Sequence, residues 1–126
     1  MERKLISSGS IFEKNVSFSR AVVAGNIVFV SGCTGFDYQT NEISEDIVAQ
    51  TEQCFVNIQN ALEKAGSSLK DVVRANYILP DTSEFEKCWP VFKKYFGDVK
   101  PACTVFCAKL TSDLIKIEIE VTAVKS

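Results

Sequence analysis

The stretch KPACTVFCA at 100–108 sets Cys103 and Cys107 four residues apart, and KIEIE at 116–120 sets Glu118 two residues from Glu120. There are five cysteines, at 33, 54, 88, 103 and 107, and no histidine. Without imidazole, the Ser-His-Asp and Cys-His nucleophile pairs, imidazole proton shuttles and the commonest transition-metal ligand are all excluded. Carboxylates, thiols, hydroxyls, backbone groups and water are left to do any chemistry. In a strand rising ~3.3 Å per residue, thiols four apart lie ~13 Å from each other on one face. A disulfide needs Cα atoms within about 7 Å and a zinc ion needs both sulfurs near 2.3 Å, so one straight strand offers neither. Each cysteine is then judged alone: Cys54, Cys88 and Cys107 read as small buried hydrophobes, and a nucleophilic cysteine would depend on a nearby Arg or Lys. Glu118 and Glu120, ~7 Å apart on one strand face, fit either paired acid/base work or a solvated surface.

The elements that must position these groups read clearly in places. SFSRAVV, AGN and IVFVSG form a hairpin, with strands near 17–23 and 27–32 and Gly25-Asn26 at the turn. After the loop CTGFDYQTNE, Ser44 offers an N-cap and Glu45 and Asp46 put negative charge on a first helical turn. Ile47, Thr51, Cys54, Phe55, Ile58, Leu62 and Ala65 recur at helical spacing until Gly66, a C-terminal stop. VVRANYIL at 72–79 is a strand closed by Pro80, and Ser83 or Asp81 opens a second helix striped by Phe85, Trp89, Phe92 and Phe96. Pro90 inside that stripe predicts a kink or a restart. Strands at about 102–109 and 115–124 close the chain, and KLIS near its start is a candidate edge strand.

The order β-β-β-α-β-α-β-β over residues 1–126 is that of a single α+β domain with two helices on one sheet face. IVFV carries large apolar side chains on both faces, so the second face is expected to be buried against another subunit. Composition supports a soluble globular chain: 46% hydrophobic, 24% charged, net charge −2. Lys and Arg are scattered, which leaves no footprint for nucleic acid. No apolar run suits a signal peptide or a membrane span, so the protein is expected in the cytoplasm. Neither GxGxxG nor a Walker loop is present, and no metal site is signalled.

From Ser17 to Lys125 the chain resembles the RidA/YjgF family, also known as endoribonuclease L-PSP-like or reactive intermediate deaminases. The resemblance is carried by VAGNIVFVSG, by Gln50 with Asn57-Ile58 on one helix, by DVVRANYILPD and by KPACTVFCAKLTSDLIKIEIE. It implies a chorismate-mutase-like fold, a homotrimer with a small-molecule cleft between subunits, and hydrolysis of 2-imino or enamine acids to 2-keto acids and ammonia without metal or cofactor. It also implies roles for particular residues. Glu118 matches the glutamate that positions or activates water, and Ser31-Gly32 matches the family's Ser-Gly pair. Cys103 stands where an arginine clamps the substrate carboxylate, and Phe18 stands where a tyrosine is usual. Trp89 is expected at the same rim, and spacing alone makes Arg20, two residues beyond Phe18 and so on the same strand face, a candidate replacement for the missing cation. Two functions follow: hydrolysis of an imine or related species through Glu118, or ligand binding without turnover.

Overall fold

Helix α2 (Ile47–Lys64) explains most of the core, and the computed structural model describes it within residues 2–126. Its Cys54, Phe55, Ile58 and Leu62 are fully buried, as the helical spacing predicts. Each large apolar side chain so buried contributes about 1.5–3 kcal/mol. The N-cap is Asp46, whose carboxylate accepts from the Ala49 N–H at 3.0 Å, and not Ser44. Ser44 instead accepts from the Asp46 N–H, 3.1 Å, and no acidic residue lies in the first turn. A shorter reach to the free N–H groups decides the competition between the two caps. The other end finishes on Gly66 at φ 78°, with Gly66 N–H donating to Glu63 (3.0 Å) and Ser67 N–H to Leu62 (2.8 Å), the Schellman pattern.

Beneath α2 lies a six-stranded sheet in the order β1-β2-β3-β8-β6-β7. Its strands are β1 (Arg3–Ile6), β2 (Ala21–Ala24), β3 (Ile27–Cys33), β6 (Val72–Leu79), β7 (Ala102–Cys107) and β8 (Glu118–Val124). Between β3 and α2 a two-stranded ribbon, β4 (Phe36–Asp37) and β5 (Glu42–Ile43), occupies the expected loop. All pairings in the large sheet are antiparallel except β6 with β7, whose crossover runs through the second helical region. That region begins as a 3-10 helix, Thr82–Cys88, capped by Asp81, and restarts as α3 (Trp89–Phe96). Pro90 falls in the first turn of α3, where a missing N–H costs nothing. One sheet face, bearing Val28, Val30, Ala75, Tyr77, Ile119 and Val121, is buried in the core. The opposite face is open: Glu120 and Arg74 are exposed, and Phe29 is 49% exposed.

Three expectations are corrected. A short helix α1 (Ile11–Val16), capped by the Ser10 hydroxyl, precedes β2. Its exit through Ser17 at φ 69°, with the Ser17 and Phe18 N–H groups both on the Glu13 carbonyl, keeps 17–20 out of the strand. Phe18 and Arg20 therefore are not paired by strand alternation. Cys107 is exposed rather than core, because β7 is the outermost strand, paired to β6 alone. Trp89 leaves the apolar stripe and stands 48% exposed.

Candidate functional site

At the end of β3 the β3–β8 register shifts between Val30 and Cys33, and this irregularity sets out Ser31 and Gly32. The Ser31 N–H donates to the Arg20 carbonyl (2.9 Å) and the Ser31 hydroxyl to the Ser19 carbonyl (2.7 Å), which ties this bend to the entry of β2. Glu118, the first residue of β8, lays its carboxylate directly over Gly32; a Cβ there would sit 2.8 Å from Glu118 Cδ. Glycine at this position is what makes room for the acid. Burial, followed by repulsion from Glu120, raises the pKa of Glu118 above the ordinary carboxylate value, with Arg20 opposing. A half-buried carboxyl with a raised pKa is suited to exchanging a proton with water.

Arg20 is 2% exposed and lies below this bend. Its Nη1 donates to the Gly32 carbonyl at 2.9 Å and approaches Cys33 Sγ at 3.8 Å. The guanidinium stacks over Tyr38, 4.2 Å from the ring centroid, and lies 5.4 Å from the Phe18 ring. Nε faces the Glu13 carboxylate at 3.6 Å and is otherwise unpartnered. Glu13 in turn accepts from the Ser8 N–H and hydroxyl; burial raises its pKa, but these bonds and Arg20 bring the net shift below the ordinary value. Burial drives the Cys33 thiol up to about 11 despite the Arg20 charge, so it stays protonated at neutral pH. Glu13, Tyr38 and Cys33 belong to this centre, and sequence reasoning did not find them. The one available signal was the capping-box spacing Ser10-x-x-Glu13.

Cys103 lies elsewhere. It is in register with Ala75, on the helix side of the sheet, whereas Glu118 is in register with Ile78, on the open side. The strands are two apart, and the residues are offset by three along them, which places their Cα atoms about 14 Å from each other. Arg20, at the head of β2, is four strand spacings from β7, or roughly 19 Å. Within one copy of the chain, then, Arg20 does not stand in for a cation at Cys103. Phe18, Arg20, Ser31, Gly32 and Glu118 form one centre, and Cys103 and Trp89 line another, a groove of about 670 Å³ between α3 and β7. Gln50 and Asn57 serve structure: Gln50 bonds the Ser44 and Leu114 carbonyls (2.7 and 2.9 Å), and Asn57 those of Thr34 and Phe36 (3.0 and 2.8 Å). Among the described residues no cluster of His, Cys, Asp and Glu could hold a metal ion, and no helix is long and apolar enough to cross a membrane.

This mixed sheet, with α2 and α3 on one face and a glycine-seated glutamate opening its last strand, defines a chorismate-mutase-like domain of the YjgF type. The chain belongs to the endoribonuclease L-PSP family, whose model matches residues 10–125. It is 41% identical over 110 residues to a RutC family protein of Pyrococcus abyssi, covering 86% of each chain. It is 33% identical over 107 residues to the chloroplastic Reactive Intermediate Deaminase A of Arabidopsis thaliana, covering 84% of this chain and 57% of that protein. A solved Mycobacterium tuberculosis member of the YjgF/YER057c/UK114 family superposes with a TM-score of 0.88 at 35% identity, covering 98% of this chain and 99% of the other.

Proposed function

We propose that the protein is a cytoplasmic hydrolase of imines, enamines or related carbonyl-derived species, with Glu118 handling the water. The observation that carries this reading is the Glu118 carboxyl seated over Gly32, half-buried, with its pKa raised. In this scheme the carboxylate takes a proton from water as its oxygen bonds to the C=N carbon. The same proton then passes to nitrogen to give the carbinolamine; the carboxylate next takes the hydroxyl proton and delivers it to nitrogen as the C–N bond breaks, so that a carbonyl compound and ammonia leave. The Ser31-Gly32 backbone and the Phe18 ring would border the substrate, and no cofactor enters the scheme.

The roughly 14 Å between Cys103 and Glu118 is too long for both to touch one 2-imino acid, whose carboxylate and reacting carbon are a single bond apart. On this reading the site is shared: a second copy seated on the open sheet face would supply its groove to the first copy's Glu118, and a closed ring of three copies would repeat this for every site. The exposed Phe29 and the wholly exposed strand β7 favour such burial. With Cys103 in place of an arginine, a carboxylate substrate loses a bidentate clamp, which costs on the order of a hundredfold in affinity. That substitution also favours a second reading, a trimeric small-ligand-binding protein without turnover.

Ammonia release from freshly generated imino acids separates the two. Turnover that falls at least a hundredfold in Glu118→Gln, and rises for small carboxylate imines in Cys103→Arg, supports the hydrolase. If neither the native protein nor Cys103→Arg turns over, the hydrolase reading is wrong.

A further inference from the structure

The groove between α3 and β7 has a composition that selects among ligands. Its walls are Tyr77, Phe85, Trp89, Phe92 and Pro101, an aromatic surface in which the ring centroids of Tyr77 and Phe92 lie 4.4 Å apart and those of Phe85 and Phe92 5.3 Å apart. At about 670 Å³ this open groove has room for a whole organic molecule laid along it. A carboxylate the size of pyruvate would leave most of that surface wet. Lys93 and Lys100 also line the groove, and among the described residues neither has an ion-pair partner within 4.0 Å. Asp98 is also among the lining residues, so the groove is bordered by two lysines and one acid. The Tyr77 phenol borders the groove near Cys103, and burial raises its pKa well above the usual tyrosine value, so it is a neutral donor there at physiological pH.

We infer that this groove binds an organic anion with an aromatic or comparably large apolar body, ring against Trp89 and Phe92 and anionic head toward Lys93 and Lys100. The inference rests on the reading above in taking the groove as the substrate-side half of the site. It extends that reading by naming the substrate class: imines of aromatic or large apolar amino acids rather than of small ones. Lysines are point charges without the fork of an arginine, so the apolar body supplies most of the selectivity.

Trp89 is the only tryptophan, so its fluorescence reports occupancy of the groove directly. The native protein is titrated with 3-phenylpropionate, propionate and the uncharged 3-phenylpropan-1-ol. The acid with the ring is expected to bind at least tenfold tighter than either of the others. In Lys93→Gln/Lys100→Gln it is expected to weaken at least fivefold while the alcohol is unchanged. Equal affinities for 3-phenylpropionate and propionate, alcohol binding as tight as the acid, or no emission change up to about 10 mM would overturn it. Ammonia release from the imines of phenylalanine and alanine keeps the two proposals apart. Selective binding without turnover removes the hydrolase and leaves the groove's ligand class standing. Turnover in which the alanine imine equals or exceeds the phenylalanine imine in kcat/KM removes the ligand class and leaves the hydrolase.

Discussion

Replacing Gly32 by alanine isolates the position of the Glu118 carboxyl from its presence. The new Cβ would lie 2.8 Å from Glu118 Cδ, 3.1 Å from Cγ and nearer still to Oε2. Restoring ordinary contact at about 3.4 Å moves the carboxyl by roughly an ångström, and misplacement of that size costs about a hundredfold in rate, or ~2.7 kcal/mol of barrier. Stability should change by less than about 1 kcal/mol, because the backbone at Gly32 is not in the left-handed region and the obstructing group is the end of a flexible side chain. Steady-state ammonia release and a thermal melt on the same preparation measure both quantities. The double variant with Glu118→Gln should be no slower than Glu118→Gln alone, since both changes act on one carboxyl. A Gly32→Ala protein with at least half the native turnover would refute the reasoning, and so would additive losses in the double variant.

Other outcomes follow from the same geometry. Because the folded state raises the pKa of Glu118, it binds that proton more tightly than the unfolded chain does; the associated stability is full below the unfolded value near 4.5 and is lost as pH rises through the folded value. Glu118→Gln should therefore raise the thermal midpoint at pH 8 and leave it little changed at pH 4, and a lower midpoint at pH 8 would contradict the assigned burial. If sites are shared between copies, Glu118→Gln and Cys103→Asp proteins, each inactive, should recover about a quarter of native turnover after unfolding and refolding together at equal amounts. No recovery, in a mixture shown by mass spectrometry to contain both chains in one oligomer, would place each site within one copy. A thiol reagent should modify no more than two cysteines in the native protein, Cys103 and Cys107, with Cys33, Cys54 and Cys88 reacting only on denaturation. A third reactive thiol under native conditions would show that the core opens.

What the sequence conveys about this molecule divides along the range of the interactions involved. α2 was legible because helical periodicity and a glycine stop are local, and β6 because Pro80 closes a β-branched run. Asp46 rather than Ser44 as cap turned on a difference of two residues in reach. α1 has too few residues for periodicity, and its trace was the Ser10-x-x-Glu13 spacing. Glu118 was found through its strand and its resemblance, but the reason it works with Gly32 is a contact across β3 and β8. Arg20 shows the limit most sharply. Spacing suggested a strand partner of Phe18 and a substitute cation for Cys103, yet the left-handed Ser17 removes the strand, and within one copy three intervening strands separate Arg20 from Cys103. The guanidinium instead braces the Gly32 carbonyl beneath the catalytic candidate. Its charge is spent on Glu13, Tyr38 and the Gly32 carbonyl, so on the proposed reading the positive charge a substrate meets must come from the groove's lysines, supplied to Glu118 by a neighbouring copy.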